Sequence, residues 1–278
     1  MRSLGRKISG LTRSLSCQPL EYLSKKYYMP NIVLIIGSAP DAIRADSWSK
    51  NAFLKIVAIN NAWKVRDDWD YLIHPEDFPV ENKPQSLTDK QAIITAMDYV
   101  PIQNTYGGFV YAGGTMAFTS AYWALGTIRP DILAFIGCDM VYPSTGEPTH
   151  FYGTGAADPL RDDLTLQSLE AKSTRLLYLA AQQKCLCLNL STSDGSRMVF
   201  PRIAIAALEQ FNEQDYQNHA GRINQLFDFT HVYKAIQREQ ELAFYIESGR
   251  YWEHLDTISP SEISILDDLW IKALVSEA

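Results

Sequence analysis

Long apolar runs are missing from this chain. Stretches such as Ile32-Val33-Leu34-Ile35-Ile36 are short and β-branched, far below the roughly 20 residues that a membrane-spanning helix needs. No apolar stretch of about 7–15 residues follows the basic residues near the start, so no secretory signal is expected. An excess of positive charge is missing too. A net charge of −7 over 278 residues argues against a general nucleic-acid binder, which needs a basic face. Cysteine is scarce: Cys17, Cys138, Cys185 and Cys187 show no C-x-x-C spacing and read as reduced core residues of a cytosolic protein. No Walker A loop is present and no G-x-G-x-x-G follows a strand, which disfavours ATP by the P-loop mode and NAD by the dinucleotide fingerprint.

What is present is hydrophobic content of 46%, enough for one large domain or one domain with an appendage. Apolar runs at 31–40, 53–63, 70–78, 91–97, 131–140 and 185–191 read as strands. Segments of helical spacing separate several of them. Residues 113–126 open on Gly113-Gly114 and stop at Gly126, and Asp158-Pro159 is an N-cap signal for a helix running towards 183. Strands alternating with helices predict an α/β fold with a mainly parallel, Rossmann-like sheet over residues 31–205. Beyond Pro201 only helical patterns follow, one ending at Gly249 and one opening on a Ser259-Pro260-Ser261-Glu262 capping box, so 206–278 reads as a helical C-terminal subdomain.

Charge divides the chain. Residues 1–30 form a basic extension in which six Lys and Arg face Glu21 alone, while 207–278 carries 13 acids against 5 bases. The extension is a candidate contact for anionic lipid at the inner membrane face, or for the acidic tail of a second copy in a homo-oligomer. The expected location is otherwise cytoplasmic.

Ligands of open α/β sheets bind beyond the carboxyl ends of the strands. Those ends read Gly37-Ser38, Asn60-Asn61, His74, Gly137-Cys138-Asp139 and Asn189-Leu190-Ser191. Gly37 and Ser38 offer amides and a hydroxyl to phosphate, and Gly113 and Gly114 offer close backbone approach before a helix. Asn60 and Asp139 suit ribose hydroxyls or a base edge. The loop after Asp139 carries Tyr142, His150 and Tyr152, and His150 is the candidate general base because imidazole titrates near neutrality. Asp68-Trp69-Asp70 spells the D-x-D with which many glycosyltransferases hold a metal, but it precedes its strand instead of following it. No metal site is expected. His219, His231 and His254 lie in the helical tail and read as structural.

The order I-I-G-S-A-P, I-N-N-A-W, L-I-H-P-E-D, G-G-T-M-A-F-T-S-A-Y-W-A-L-G, I-L-A-F-I-G-C-D-M-V-Y, H-F-Y-G and C-L-C-L-N-L-S resembles the bacterial sialyltransferases of glycosyltransferase family 42, over roughly residues 31–200. The resemblance implies metal-independent transfer from a CMP-activated sugar of sialic-acid type to a glycan acceptor, with no cofactor beyond that donor. Gly37 and Ser38 stand where the family touches phosphate, Asn60 where it contacts the donor, and Gly137 and Asp139 where it holds ribose and base. Tyr142 supports the leaving phosphate, one place later than in the family. His74 replaces an asparagine, with Asn189, Ser191 and Tyr152 in supporting positions. The family's H-Y-I-G-H becomes His150-Phe151-Tyr152-Gly153-Thr154, so Thr154 occupies the place of the catalytic histidine. Either His150 serves as base, or the chain is a non-catalytic nucleotide- or glycan-binding component of surface-polysaccharide synthesis. A third alternative, a pyrophosphoryl-transfer enzyme, would need carboxylates such as Asp41 and Asp139 at the phosphate loop.

Overall fold

All five residues of β1 (Ile32–Ile36) are buried, as expected of a strand covered on both faces. The computed structural model describes residues 29–142, 148–154 and 162–275. Its other strands are β2 (Lys55–Ile59), β3 (Tyr71–Ile73), β4 (Ala92–Ile94), β5 (Ile132–Ile136) and β6 (Leu186–Asn189). They form one six-stranded sheet in the order β4-β3-β2-β1-β5-β6, parallel throughout. Leu34 pairs with Ile56 on one side and Ala134 on the other. The chain runs outward from β1 to β4 and then returns to β5. The order in which strands are added therefore reverses between β1 and β5, the topological switch point at which α/β folds bind ligands.

Helices cover the faces. They are α1 (Ala96–Asn104), α2 (Phe109–Ala112), α3 (Met116–Thr127), α4 (Leu169–Gln182), α5 (Ile205–Leu208), α6 (Glu213–Gln225), α7 (Phe229–Leu242) and α8 (Pro260–Ala273). Helix α3 buries nine consecutive residues, Ala117–Leu125, because it lies between the sheet and other helices. Helix α7 packs on α8, and α8 packs on α4. Two buried ion pairs tie these layers. Lys172 Nζ lies 2.7 Å from Asp267 Oδ1, with side chains 1% and 5% exposed. Arg175 clasps Glu239 through Nε at 2.7 Å and Nη2 at 2.8 Å, and Nη1 also donates to the Tyr122 hydroxyl. No helix among the described residues is long and apolar enough to cross a membrane.

Several local expectations need correction. Gly126 does not stop α3 but lies within it; a β-carbon there would stand 2.6 Å from Ile102, so the glycine lets α1 approach. The Asp158-Pro159 cap and the basic segment up to residue 28 lie outside the described residues. Helix α4 begins only at Leu169, where the Ser168 side chain accepts from the Ala171 amide. The pattern expected to reach Gly249 breaks at Ala243, which adopts a left-handed φ of 48°. The run at 91–97 is strand only to Ile94, because Thr95 and Asp98 form a capping box that opens α1. At α8, Ser259 caps the Glu262 amide and Pro260 takes the first position, as read from the sequence.

Candidate functional site

The loops after β1 and β5 meet backbone to backbone. The Gly37 amide donates to the Ile136 carbonyl at 2.8 Å and the Ala39 amide to the Gly137 carbonyl at 3.0 Å. A β-carbon on Gly37 would stand 2.2 Å from the Gly137 oxygen, so only glycine permits this approach. Gly137 itself has φ +68°, and a β-carbon there would stand 2.7 Å from that of Ala42. Two non-glycine residues nearby also adopt left-handed backbone, Asn60 at φ 50° and Met140 at φ 55°. Asparagine tolerates this conformation through its short polar side chain; methionine does so at a cost, and such strain gathers at functional sites.

Beyond these strand ends lies a cleft of about 460 Å³. Gly37 and Ser38 line it from β1, Asn60 and Asn61 from β2, and Gly137, Cys138 and Met140 from β5. Thr115–Ala117, the start of α3, form another wall, so the positive end of that helix's dipole faces the cleft. Tyr142, His150 and Tyr152 close the side. The His150 ring is buried, 6% exposed, and stacks on Tyr152 with centroids 4.9 Å apart. Its Nδ1 lies 2.8 Å from Thr149 Oγ1. The Phe151 amide donates to the Ser38 carbonyl at 3.0 Å, and His150 and Gly153 exchange backbone hydrogen bonds. The described end of this loop is thus anchored on the first strand's turn.

Other sequence candidates stand outside the cleft surface. Asp139 is buried behind the wall, where Asn189 Nδ2 donates to its Oδ1 at 3.0 Å. Asn189 Oδ1 accepts from the Ser191 amide, and the Ser191 hydroxyl accepts from Ser193. Asn189 and Ser191 therefore hold Asp139 and this turn in position. Asp41 lies in the same polar layer. Burial raises its pKa, Ser191 lowers it, and the Asp139 charge raises it. Gly113, at φ +88°, packs against Lys172 and Phe118. Gly114 donates its amide to Thr165 and faces a second cavity. Thr154 is exposed and is not among the lining residues. The D-x-D acids lie at the opposite edge of the sheet: Asp68 pairs with Arg66, and Asp70 with Lys50 and Lys55 while accepting the Ile56 amide. Burial also holds the thiols of Cys138, Cys185 and Cys187 well above their ordinary pKa, which makes them poor nucleophiles.

Asn60 and Asn61, which line the cleft, each carry a buried side-chain oxygen without a hydrogen-bond partner, and other such atoms lie at the neighbouring strand ends and elsewhere. Among the described residues the unpartnered atoms include Asn60 Oδ1, Asn61 Oδ1, His74 Nε2 and Asp139 Oδ2. His74 is only 2% exposed and stacks on Phe78, which lines the cleft. Its Nδ1 sits 2.7 Å from the Pro75 carbonyl, which can only accept, so Nδ1 carries the proton and Nε2 presents a lone pair. Burial, the largest influence, lowers its pKa below 6.5. Charging the ring thus opposes folding: an unfolded imidazole takes up its proton near 6.5 and the folded one only at lower pH. Stability is expected to fall as pH drops below 6.5, and a His74→Gln variant is expected to lose that part of the dependence. Thermal melts of both proteins between pH 5 and 8 check this, and parallel curves would refute it.

Asn61 and Asp77 were not read from the sequence as site residues, yet both line the cleft. Asn61 had a signal, the doubled asparagine closing a strand. Asp77 had none, because the turn after His74-Pro75 brings it there. No protein-family model, curated protein or solved structure matches the chain.

Proposed function

We propose that the cleft at the β1–β5 switch point binds a nucleotide-activated sugar, and that the chain is a metal-independent glycosyltransferase using a CMP-linked donor of sialic-acid type. The observation that carries this reading is the pair of buried, unpartnered oxygens Asn60 Oδ1 and Asn61 Oδ1 on a glycine-lined cleft at the start of α3. Burying such atoms unpaired costs free energy, and ribose hydroxyls or a cytosine amino group would satisfy them. Among the described residues, no Lys or Arg lines the cleft. A helix N-terminus suits the single charge of a phosphodiester better than a triphosphate.

In this reading Gly37, Ser38 and the first turn of α3 approach phosphate, while Asn60 and Gly137 hold the nucleoside. Asp139 acts from behind by fixing the β5 turn. Tyr142 donates a hydrogen bond to the leaving phosphate, and preorganised donors replace a metal there. His150 accepts the proton of the acceptor hydroxyl as that oxygen attacks the anomeric carbon and the bond to phosphate breaks.

The exposure of Thr154, away from the lining residues, favours one second reading. A chain without a catalytic base in that place would bind nucleotide or glycan without turnover. The pyrophosphoryl-transfer reading has less support, since Asp41 and Asp139 lie behind the wall and neither lines the cleft.

Calorimetric titration with CMP, UDP, GDP and ATP, each with and without magnesium, tests the proposal. CMP is expected to bind in the absence of metal and more tightly than the others. Binding of ATP with magnesium in preference to CMP would overturn it.

A further inference from the structure

A second cavity of about 490 Å³ adjoins the cleft, and Pro75, Asp77 and Met116 wall both. It lies between α1, α2 and the segment 248–252, which falls outside the sequence resemblance. Four aromatic side chains, Tyr99, Phe109, Tyr251 and Trp252, stand in its walls. Phe109 stacks on Tyr251 with centroids 6.4 Å apart and planes at 24°, and Trp252 meets Tyr251 edge-on at 5.4 Å. Trp252 is 54% exposed although it belongs to this wall.

The segment is held firmly. The Tyr251 hydroxyl donates to Asp163 Oδ2 at 2.6 Å. Gly249, at φ +76°, brings its backbone close to Phe109 and Val100, where a β-carbon would stand 3.1 Å from both. Arg250 reaches across to Glu76 at 3.4 Å and to Glu253 at 3.5 Å. The charged groups are mostly carboxylates: Glu76, Asp77 and Asp163 line the cavity against the single guanidinium of Arg250. Tyr99 adds a donor, since burial and the charges of Glu76 and Asp77 push its pKa up to about 12 and keep the phenol protonated.

We propose that this cavity is the acceptor subsite and takes a neutral pyranose of a glycan, stacked on Trp252, with Asp77 accepting a hydrogen bond from a sugar hydroxyl. The proposal rests on the glycosyl-transfer reading above. Flat aromatic walls suit the apolar face of a pyranose, and carboxylates suit its hydroxyl rim. The acidic lining disfavours an anionic ligand. The shared wall puts a sugar bound here beside the donor, the arrangement that transfer needs.

Saturation-transfer NMR and tryptophan fluorescence on the full chain, with lactose, methyl β-galactoside and methyl α-glucoside as probes, test the assignment. Methyl β-glucuronide serves as the anionic comparison. At least one neutral glycoside is expected to bind. Trp252→Ala is expected to weaken that binding about tenfold and leave CMP affinity unchanged. The indole is exposed, so its removal is expected to leave the fold intact, and Tyr99→Phe provides a second variant, expected to weaken binding of the same ligand. Trp252-dependent glycoside binding without CMP binding would support the subsite while removing the nucleotide reading. CMP binding with no glycoside binding, equal binding by wild type and Trp252→Ala, or preference for the glucuronide would each overturn the subsite.

Discussion

Lys172→Met is expected to cost about 3–5 kcal/mol of stability and to lower the melting temperature by roughly 10 °C. Methionine keeps most of the apolar stem, so the loss is chiefly that of the ammonium partner of Asp267. The remaining carboxylate is buried on α8 against α4, with Oδ2 already lacking a protein partner. Burial raises the Asp267 pKa above 3.8, and the Lys172 charge and hydrogen bond work against that rise. Removing Lys172 therefore raises it further. A carboxyl whose folded pKa lies above its unfolded value binds more protons when folded, and stability increases as pH falls through that window. The deficit of Lys172→Met is accordingly expected to shrink on acidification. The double variant Lys172→Met/Asp267→Leu is expected to be much closer to wild type than the two single losses together, because no charge is left buried alone. Denaturant unfolding of the four proteins at pH 7 and pH 5 reads all of these quantities. Additive single losses would show that the pair is not coupled.

His150→Ala is expected to reduce turnover of a CMP-sugar donor by about 10²- to 10⁴-fold while CMP affinity stays within a few-fold of wild type. The ring lines the cleft, lies 2.8 Å from Thr149 Oγ1 and stacks on Tyr152, so both its orientation and its packing are defined. Truncation also releases Tyr152. His150→Gln, which keeps bulk and a polar end, separates the two effects: a base requires that the glutamine variant also fail, whereas a packing role predicts recovery. Turnover retained in His150→Ala would remove the residue from the chemistry. CMP binding by the wild type without turnover of any donor would favour the binding-module reading.

Of the residues the resemblance singles out, Gly37, Ser38, Asn60, Gly137, Tyr142, His150 and Tyr152 meet at one surface. Asp139, Asn189 and Ser191 form the polar layer behind it, where they hold the β5 turn. Gly113 packs on α4, and Gly114 turns towards the second cavity. A list of strand ends cannot separate these groups, because a residue one step further along a turn points to the other side of it.

The sequence by itself determined the sheet. Six short apolar runs, several of them separated by helical spacing, leave a parallel α/β arrangement as the economical way to bury both strand faces, and all six runs contain strands. It also determined which strand ends carry polar and glycine residues, because such residues are poorly suited to the middle of a buried strand. Tertiary structure alone decided the strand order, and so which two ends meet at the switch point. It decided that Gly37 and Gly137 must both lack side chains, since that requirement arises only where two distant backbones touch. It also decided that Tyr99, Phe109, Tyr251 and Trp252, up to 153 residues apart in the chain, share one cavity beside the cleft. Periodicity along a chain reports which face of an element is apolar. Which faces come together depends on packing between elements, and no local pattern encodes it.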